Sequence, residues 1–389
     1  MKIIFWASII VILYTYIGYP LLIYFLSSFY KKPVRGKYIY PTVSLLVAAY
    51  NEEARIENKI KTLLELDYPD ERIEILIGSD GSTDKTEEII SKYTNDKIKL
   101  FRLPQRQGKP SVLNMLVPQA KGELLVFTDA RQTLDKNALK ELVKNFCDPK
   151  VGSASGELFY INEDDNKPGA GLGLYWSYEK FIRKSESRMG SMLGATGAFY
   201  AIRKELFMPL PEDLILDDVY TPMKIVSKGY RAIFDAKAKV FDKVFNETKD
   251  EFLRKSRTLA GNFQLFVYLR ELFNPLKGKI SWQFFSHKFL RLMVPFLLMI
   301  VFVSNVGVVV SLKIGTVPFG DSPYFSYFYW IFLWLQVAFY ACAFLGMVFK
   351  HRNRVLDIPY MFCVMNSAAV VGLHRFLTRK EHALWEKAV

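Results

Sequence analysis

Between Lys2 and Lys31 the chain carries no charged residue, and residues 3–30 are almost wholly apolar or aromatic. A helix rising about 1.5 Å per residue over that length crosses a hydrocarbon core roughly 30 Å thick. The run is too long for the apolar core of a cleaved signal peptide, and no small-x-small cleavage site precedes the lysines, so a retained span is expected. Near the other end, residues 292–312 and 325–349 form two more apolar stretches of spanning length, and 358–373 a third, bounded by Asp357 and His374.

The charges flanking these segments orient them. Lys and Arg total 52 against 39 Asp and Glu, a net charge of +13. Much of the excess sits beside apolar segments, at Lys31, Lys32, Arg35 and Lys37 and again at Lys350, His351, Arg352 and Arg354. That placement favours a membrane surface over nucleic acid as partner. The positive-inside rule then puts 31–37, 350–355 and the domain between the spans in the cytoplasm of a plasma (inner) membrane protein. For the last apolar stretch a full crossing, a re-entrant segment and an interfacial helix all stay open. Residues 278–291 mix Trp282, Phe284, Phe285 and Phe289 with Lys279, Lys288 and Arg291, the pattern of an interfacial amphipathic helix. The expected division is a span over 1–30, a central domain over 38–277, the interfacial helix over 278–291, membrane segments over 292–377 and a basic tail over 378–389. Three scattered cysteines and four scattered histidines argue against a disulfide framework or a zinc site.

From residue 42 the pattern changes. Apolar, β-branched runs at Thr42–Tyr50, Ile73–Gly78, Lys97–Leu103 and Glu123–Thr128 alternate with helical periods at Glu53–Leu66, Thr86–Tyr93, Ser111–Ala120 and Asn137–Phe146. Such alternation builds an α/β domain on a mostly parallel, Rossmann-like sheet with helices on both faces. Ligands bind such sheets at the carboxyl ends of the strands, where Asn51, Asp80 and Asp129 stand. A dinucleotide site is not expected, because no GxGxxG follows the first strand and no GxxxxGK[ST] occurs. The glycines Gly169, Gly171 and Gly173 read as a flexible connection.

Six short motifs follow in order: Val47-Ala48-Ala49-Tyr50-Asn51-Glu52-Glu53, Gly78-Ser79-Asp80-Gly81-Ser82-Thr83-Asp84, Phe127-Thr128-Asp129-Ala130-Arg131, Gly194-Ala195-Thr196-Gly197, Leu216-Asp217-Asp218-Val219 and Arg254-Lys255-Ser256-Arg257. In this order between membrane segments, they resemble the family-two inverting glycosyltransferases with a GT-A fold. The likeness is greatest to the membrane-bound branch that makes cellulose, hyaluronan and poly-N-acetylglucosamine, and it covers about residues 40–270. The resemblance implies a nucleotide-sugar donor, a UDP-sugar by preference, and a membrane-proximal glycan or lipid-linked acceptor. Ala49, Tyr50, Asn51, Glu52 and Asp80 would line the donor pocket, Lys109 would lie near the diphosphate, and Arg254 and Arg257 would clamp it.

Asp129 matches the first acid of a DxD motif, which holds Mg²⁺ or Mn²⁺, but Arg131 stands at the second. Either Asp129 holds the ion with other ligands or water, or Arg131 supplies the positive charge itself; Arg131 engaged in a plain salt bridge is the third reading. Asp217 and Asp218 match an acidic pair whose second member deprotonates the acceptor; an N-cap is their structural alternative. Gly194, Thr196 and Gly197 would let the acceptor approach the backbone, unless they form only a tight turn. Thr258 occupies the position where processive relatives carry an acceptor-stacking Trp, which implies transfer of one or a few sugars. A processive synthase and a non-catalytic nucleotide-sugar-binding protein are the competing readings.

Overall fold

The computed structural model describes residues 1–34, 36–161, 170–243, 248–314, 323–349 and 354–378. The chain begins with α1 (Lys2–Leu13) and α2 (Tyr19–Phe29), joined through a wider helical turn at Tyr14–Gly18. The central domain follows as β1 (Val43–Ala49), α3 (Ile56–Leu64), β2 (Ile73–Ser79), α4 (Thr86–Ser91), β3 (Ile98–Arg102), α5 (Lys109–Gln119), β4 (Leu124–Asp129), β5 (Thr133–Leu134), α6 (Ala138–Val143), β6 (Val151–Ile161), α7 (Ala170–Met189), β7 (Phe199–Arg203), α8 (Asp217–Ser227), β8 (Arg231–Lys243) and α9 (Thr248–Tyr268). The C-terminal part holds α10 (Lys279–Gln283), α11 (Leu290–Ile314), α12 (Pro323–Phe349) and α13 (Arg354–Leu377).

The eight strands form one sheet in the order β3-β2-β1-β4-β7-β6-β8-β5. The first four are parallel, as the alternating pattern requires. Every residue of β1 is buried, which explains its uninterrupted apolar run: both faces of a parallel strand are covered. Leu45, Val47, Ile75 and Ile77 point into one core layer with α3 and α6, while Leu46, Leu76, Leu113 and Leu116 fill the other beneath α5 and α8. Ala49 pairs with Ser79 and Ala48 with Asp129, so these strands end level and their terminal polar residues share one edge. The other half of the sheet is mixed: β7 runs antiparallel to β4 and to β6, and β8 is parallel to β6.

Among the described residues, four helical stretches are long and apolar enough to cross a membrane: Lys2–Phe29, Lys279–Ile314, Ser326–Phe349 and Val355–Leu377. They pack on one another and on the domain. Trp6 Nε1 donates to the Tyr329 hydroxyl at 3.0 Å, and Arg375 donates to Ser256 Oγ on α9 at 2.8 Å. Two details differ from the sequence expectation. Residues 279–314 are helical without a break, so the aromatic-basic stretch continues directly into a helix long and apolar enough to cross a membrane, with Phe284, Ser286 and His287 buried there. Gly171 and Gly173 lie in the first turns of α7, where packing of a 20-residue helix outweighs the roughly 1 kcal/mol cost of each glycine. None of the three cysteines forms a disulfide. The tail from 379 lies outside the described residues.

Candidate active site

The carboxyl edge of the parallel strands opens into a cavity of about 1330 Å³. At the end of β1 the chain turns through Asn51 at φ +52°, an αL position that asparagine tolerates. Its side chain accepts from the Thr83 amide at 2.7 Å, and its own amide donates to Ser82 Oγ at 3.1 Å, tying the ends of β1 and β2 together. Tyr50 and Glu52 face the cavity, and the Arg106 guanidinium lies 4.2 Å over the Tyr50 ring.

Asp80 is fully buried. Its carboxylate accepts from the Gln107 amide at 2.7 Å and the Gly108 amide at 2.9 Å. Burial pushes its pKa up, and those two amides pull against the rise. Its described contacts therefore fix the loop that leads into α5, and neither Asp80 nor Ala49 is among the residues lining the cavity.

α5 begins at Lys109, whose side chain sits at the centre of the floor. Its ammonium lies 3.0 Å from Asp129 and 3.4 Å from Asp217. Burial works against its charge, but Asp129, Asp217 and Asp218 outweigh burial and hold the pKa above its usual value. Asp217 and Asp218 occupy the first turn of α8, with Leu216 as the cap residue, so a capping role does not account for either side chain. The Tyr200 hydroxyl donates to Asp217 at 3.2 Å, and the Gly197 amide donates to Asp218 Oδ2 at 3.0 Å. A Cβ on residue 197 would stand 3.0 Å from that same oxygen, so the glycine is what permits the approach. Burial and the Asp217 charge raise Asp218 to about 6, with Lys109, Arg183 and Lys288 pulling the other way. A carboxylate with its pKa raised to about 6 is still mostly ionised near neutrality and holds a proton more readily than an ordinary one, which suits it to accepting a proton.

Asp129 is partly exposed to the cavity, while Arg131 pairs with buried Asp242 at 2.8 Å. Among the described residues no three His, Cys, Asp or Glu side chains converge as a metal site. One carboxylate beside a diphosphate is nevertheless a familiar arrangement for Mg²⁺, which keeps several waters and takes phosphate oxygens; Asp129 fits it.

Arg254, Arg257 and Thr258 share the cavity-facing side of α9, as i, i+3 and i+4 positions must. Arg254 lies 3.5 Å from the Tyr160 hydroxyl. Beside them Trp176 of α7 packs on Tyr160 at 5.3 Å between ring centroids and lines the cavity, whereas Phe263 packs against Phe266 and Phe376. Thr196 lines the wall and accepts from Arg183 at 3.0 Å; Gly194 bends the chain at φ +142°.

Sequence reasoning missed two functional candidates. Arg183 lies on α7, a helix not anticipated at all. Lys59 is buried and donates to Thr128 Oγ1 at 2.7 Å and to the Gln132 carbonyl at 3.0 Å, bracing both sides of Asp129. Burial lowers its pKa to about 7 against the pull of Asp129 and Asp242. A signal for it existed, since Lys59 stands three residues after Ile56 on the apolar face shared with Ile60 and Leu63.

Residues 44–210 match the family model described as glycosyl transferase family 2. A poly-beta-1,6-N-acetyl-D-glucosamine synthase of Staphylococcus aureus (strain COL) is 28% identical over 242 residues, which is 61% of this chain and 58% of that protein. The protein of the same name from Staphylococcus epidermidis is 25% identical over 363 residues, 88% of this chain and 86% of that one. The match to the first of these spans 58% of its length. Among solved structures, a mannosyltransferase from Pyrobaculum calidifontis, in complex with GDP-Man and Mn²⁺, superposes with a TM-score of 0.71 at 22% identity, covering 97% of this chain and all of that one.

Proposed function

The chain carries a family 2 glycosyl transferase domain of GT-A fold with four helices able to span a membrane, and from that premise we propose that it transfers a sugar from a UDP-sugar, with inversion, to a membrane-proximal glycan or lipid-linked acceptor. The observation that supports this most is the meeting of Asp129, Lys109, Asp217 and Asp218 in one cavity at the carboxyl edge of the parallel strands. Asp218 accepts the acceptor's hydroxyl proton. The freed oxygen attacks the anomeric carbon from the opposite face, the bond from that carbon to the phosphate oxygen breaks, and the nucleoside diphosphate leaves. Lys109, Arg254 and Arg257 bind and neutralise the diphosphate. A Mg²⁺ or Mn²⁺ held by Asp129 would add positive charge at the leaving group. Arg131, engaged with Asp242, braces the strand end.

The catalytic domain faces the cytoplasm in this reading, on the side where nucleotide sugars are found. The N-acetylglucosamine named for the relatives makes UDP-N-acetylglucosamine the first donor to try. A second reading, processive synthesis, is favoured by Trp176 and Tyr160, aromatic surfaces in the same cavity as Thr258 where an elongating chain can stack. Both are tested by incubating the full chain in membranes with a panel of radiolabelled UDP- and GDP-sugars and sizing the products. Incorporation of one or a few sugars is expected. Long polymer from the first turnovers, before donor is exhausted, would establish the processive reading; no incorporation from any donor would overturn both.

A further inference from the structure

The cavity does not stop at the catalytic carboxylates. It continues past Asp218 along α7 and the base of the helix Lys279–Ile314 to α13, where Ile358, Met361, Phe362 and Met365 line it. Two cations face this stretch, Arg183 and Lys288. Arg183 donates to the Thr196 hydroxyl. Neither it nor Lys288 has a carboxylate within ion-pair distance among the described residues, and Lys288 makes no hydrogen bond there. The nearby acids are engaged elsewhere. Glu179 pairs with Arg291 and lies 3.5 Å from His287, while Glu186 accepts from Tyr19 at 2.5 Å and meets His287 Nδ1 at 2.8 Å. Asp218, Glu179 and Glu186 act on these charges only from beyond ion-pair distance, and a partly buried cation that lacks a contacting counter-ion gains from a ligand that brings negative charge to it.

The order of chemistry along the cavity describes that ligand. Asp218 calls for a hydroxyl, the two cations for an anion, and the α13 side chains for hydrocarbon. We infer that the acceptor is a sugar joined through phosphate to a lipid chain, with its phosphate held by Arg183 and Lys288 and its tail against α13. The inference rests on the transferase reading above for the hydroxyl at Asp218, whereas the anion site itself can be tested without turnover.

The test is binding to the full chain in neutral detergent, with UDP filling the donor site. Affinities for undecyl phosphate, undecyl β-glucoside and inorganic phosphate are compared by calorimetry. Undecyl phosphate should bind about tenfold more tightly than the glucoside, as one charge-assisted contact warrants, and inorganic phosphate should compete only weakly. Arg183→Gln and Lys288→Gln should each remove most of the preference, while Lys279→Gln, an exposed charge on the same helix, should keep it. Retained UDP affinity shows that each variant is folded, and if one is not, the other decides. Equal binding of phosphate and glucoside, or a preference that survives both substitutions, overturns the inference. Inorganic phosphate binding as tightly as undecyl phosphate overturns the lipid part of it. If no nucleotide sugar is turned over but the preference depends on these two side chains, the anion site stands and the transferase reading falls.

Discussion

The floor of the cavity and its membrane-facing wall treat charge in opposite ways. On the floor, Lys109 is matched by Asp129 and Asp217, and Arg131 by Asp242. On the wall, Arg183 has a hydroxyl and Lys288 has no ion pair among the described residues. A floor whose dipoles and charges are already fixed needs little rearrangement when a diphosphate arrives and when it leaves. A wall whose cations lack a contacting carboxylate is the part that an anionic acceptor would complete. The difference teaches which substitutions should damage one substrate and spare the other.

The largest effect is expected where the two regions meet. Asp218→Asn removes proton acceptance while keeping the shape, so transfer should fall roughly 10²–10⁴-fold with UDP affinity kept. Turnover near the wild-type rate in the purified variant would take Asp218 out of the mechanism. On the floor, Lys109→Met leaves Asp129 and Asp217 facing each other without a cation. Nucleotide affinity measured by calorimetry should weaken by about 10–100-fold, the value of a lost charge-assisted contact; unchanged affinity would mean the floor is not the donor site. Excess chelator should lower the rate by about tenfold, because a divalent ion at Asp129 would share its work with Lys109 and the arginines. Full activity in chelator would mean that the protein's own cations suffice.

The pH profile sharpens the same boundary. A carboxylate serves as a base only when deprotonated, and the pKa of Asp218, the proposed base, is raised to about 6. Transfer should therefore fall on acidification through pH 6, by about tenfold for each further unit, and Asp218→Glu should move the midpoint. A flat profile down to pH 5 would break the assignment. The smallest effect belongs to the wall: Trp176→Ala should raise the KM for acceptor about fivefold, the value of one aromatic platform, and leave nucleotide affinity alone. A change in nucleotide affinity instead would place Trp176 with the floor.

How much of this could be read from the residues depends on the kind of burial involved. Strands β1 to β4 are legible because parallel strands covered on both faces are nearly pure apolar runs that end at turn residues, and so Asn51, Asp80 and Asp129 fall on one edge. Strand β6 is opaque, since its inner positions are Gly152, Ser153, Ser155 and Gly156, small residues chosen for close packing. Helix α7 hid behind Gly171 and Gly173, and with it went Trp176 and Arg183. The position of Asp80 was visible, but not that its carboxylate turns toward the Gln107 and Gly108 amides. The missing Trp at 258 was equally plain, yet only the folded chain brings an aromatic of α7 into the same cavity.

One feature of the architecture bears on kinetics. The cavity joins the nucleotide edge of the sheet to helices that can sit in a bilayer. A nucleotide sugar reaches it by diffusion through a volume, whereas an acceptor arriving past α13 diffuses in a plane. Its effective concentration is then a mole fraction in the lipid, not an amount per litre. Adding inert lipid at constant total acceptor should slow transfer as though acceptor had been removed, while diluting the vesicles in buffer should leave acceptor occupancy untouched.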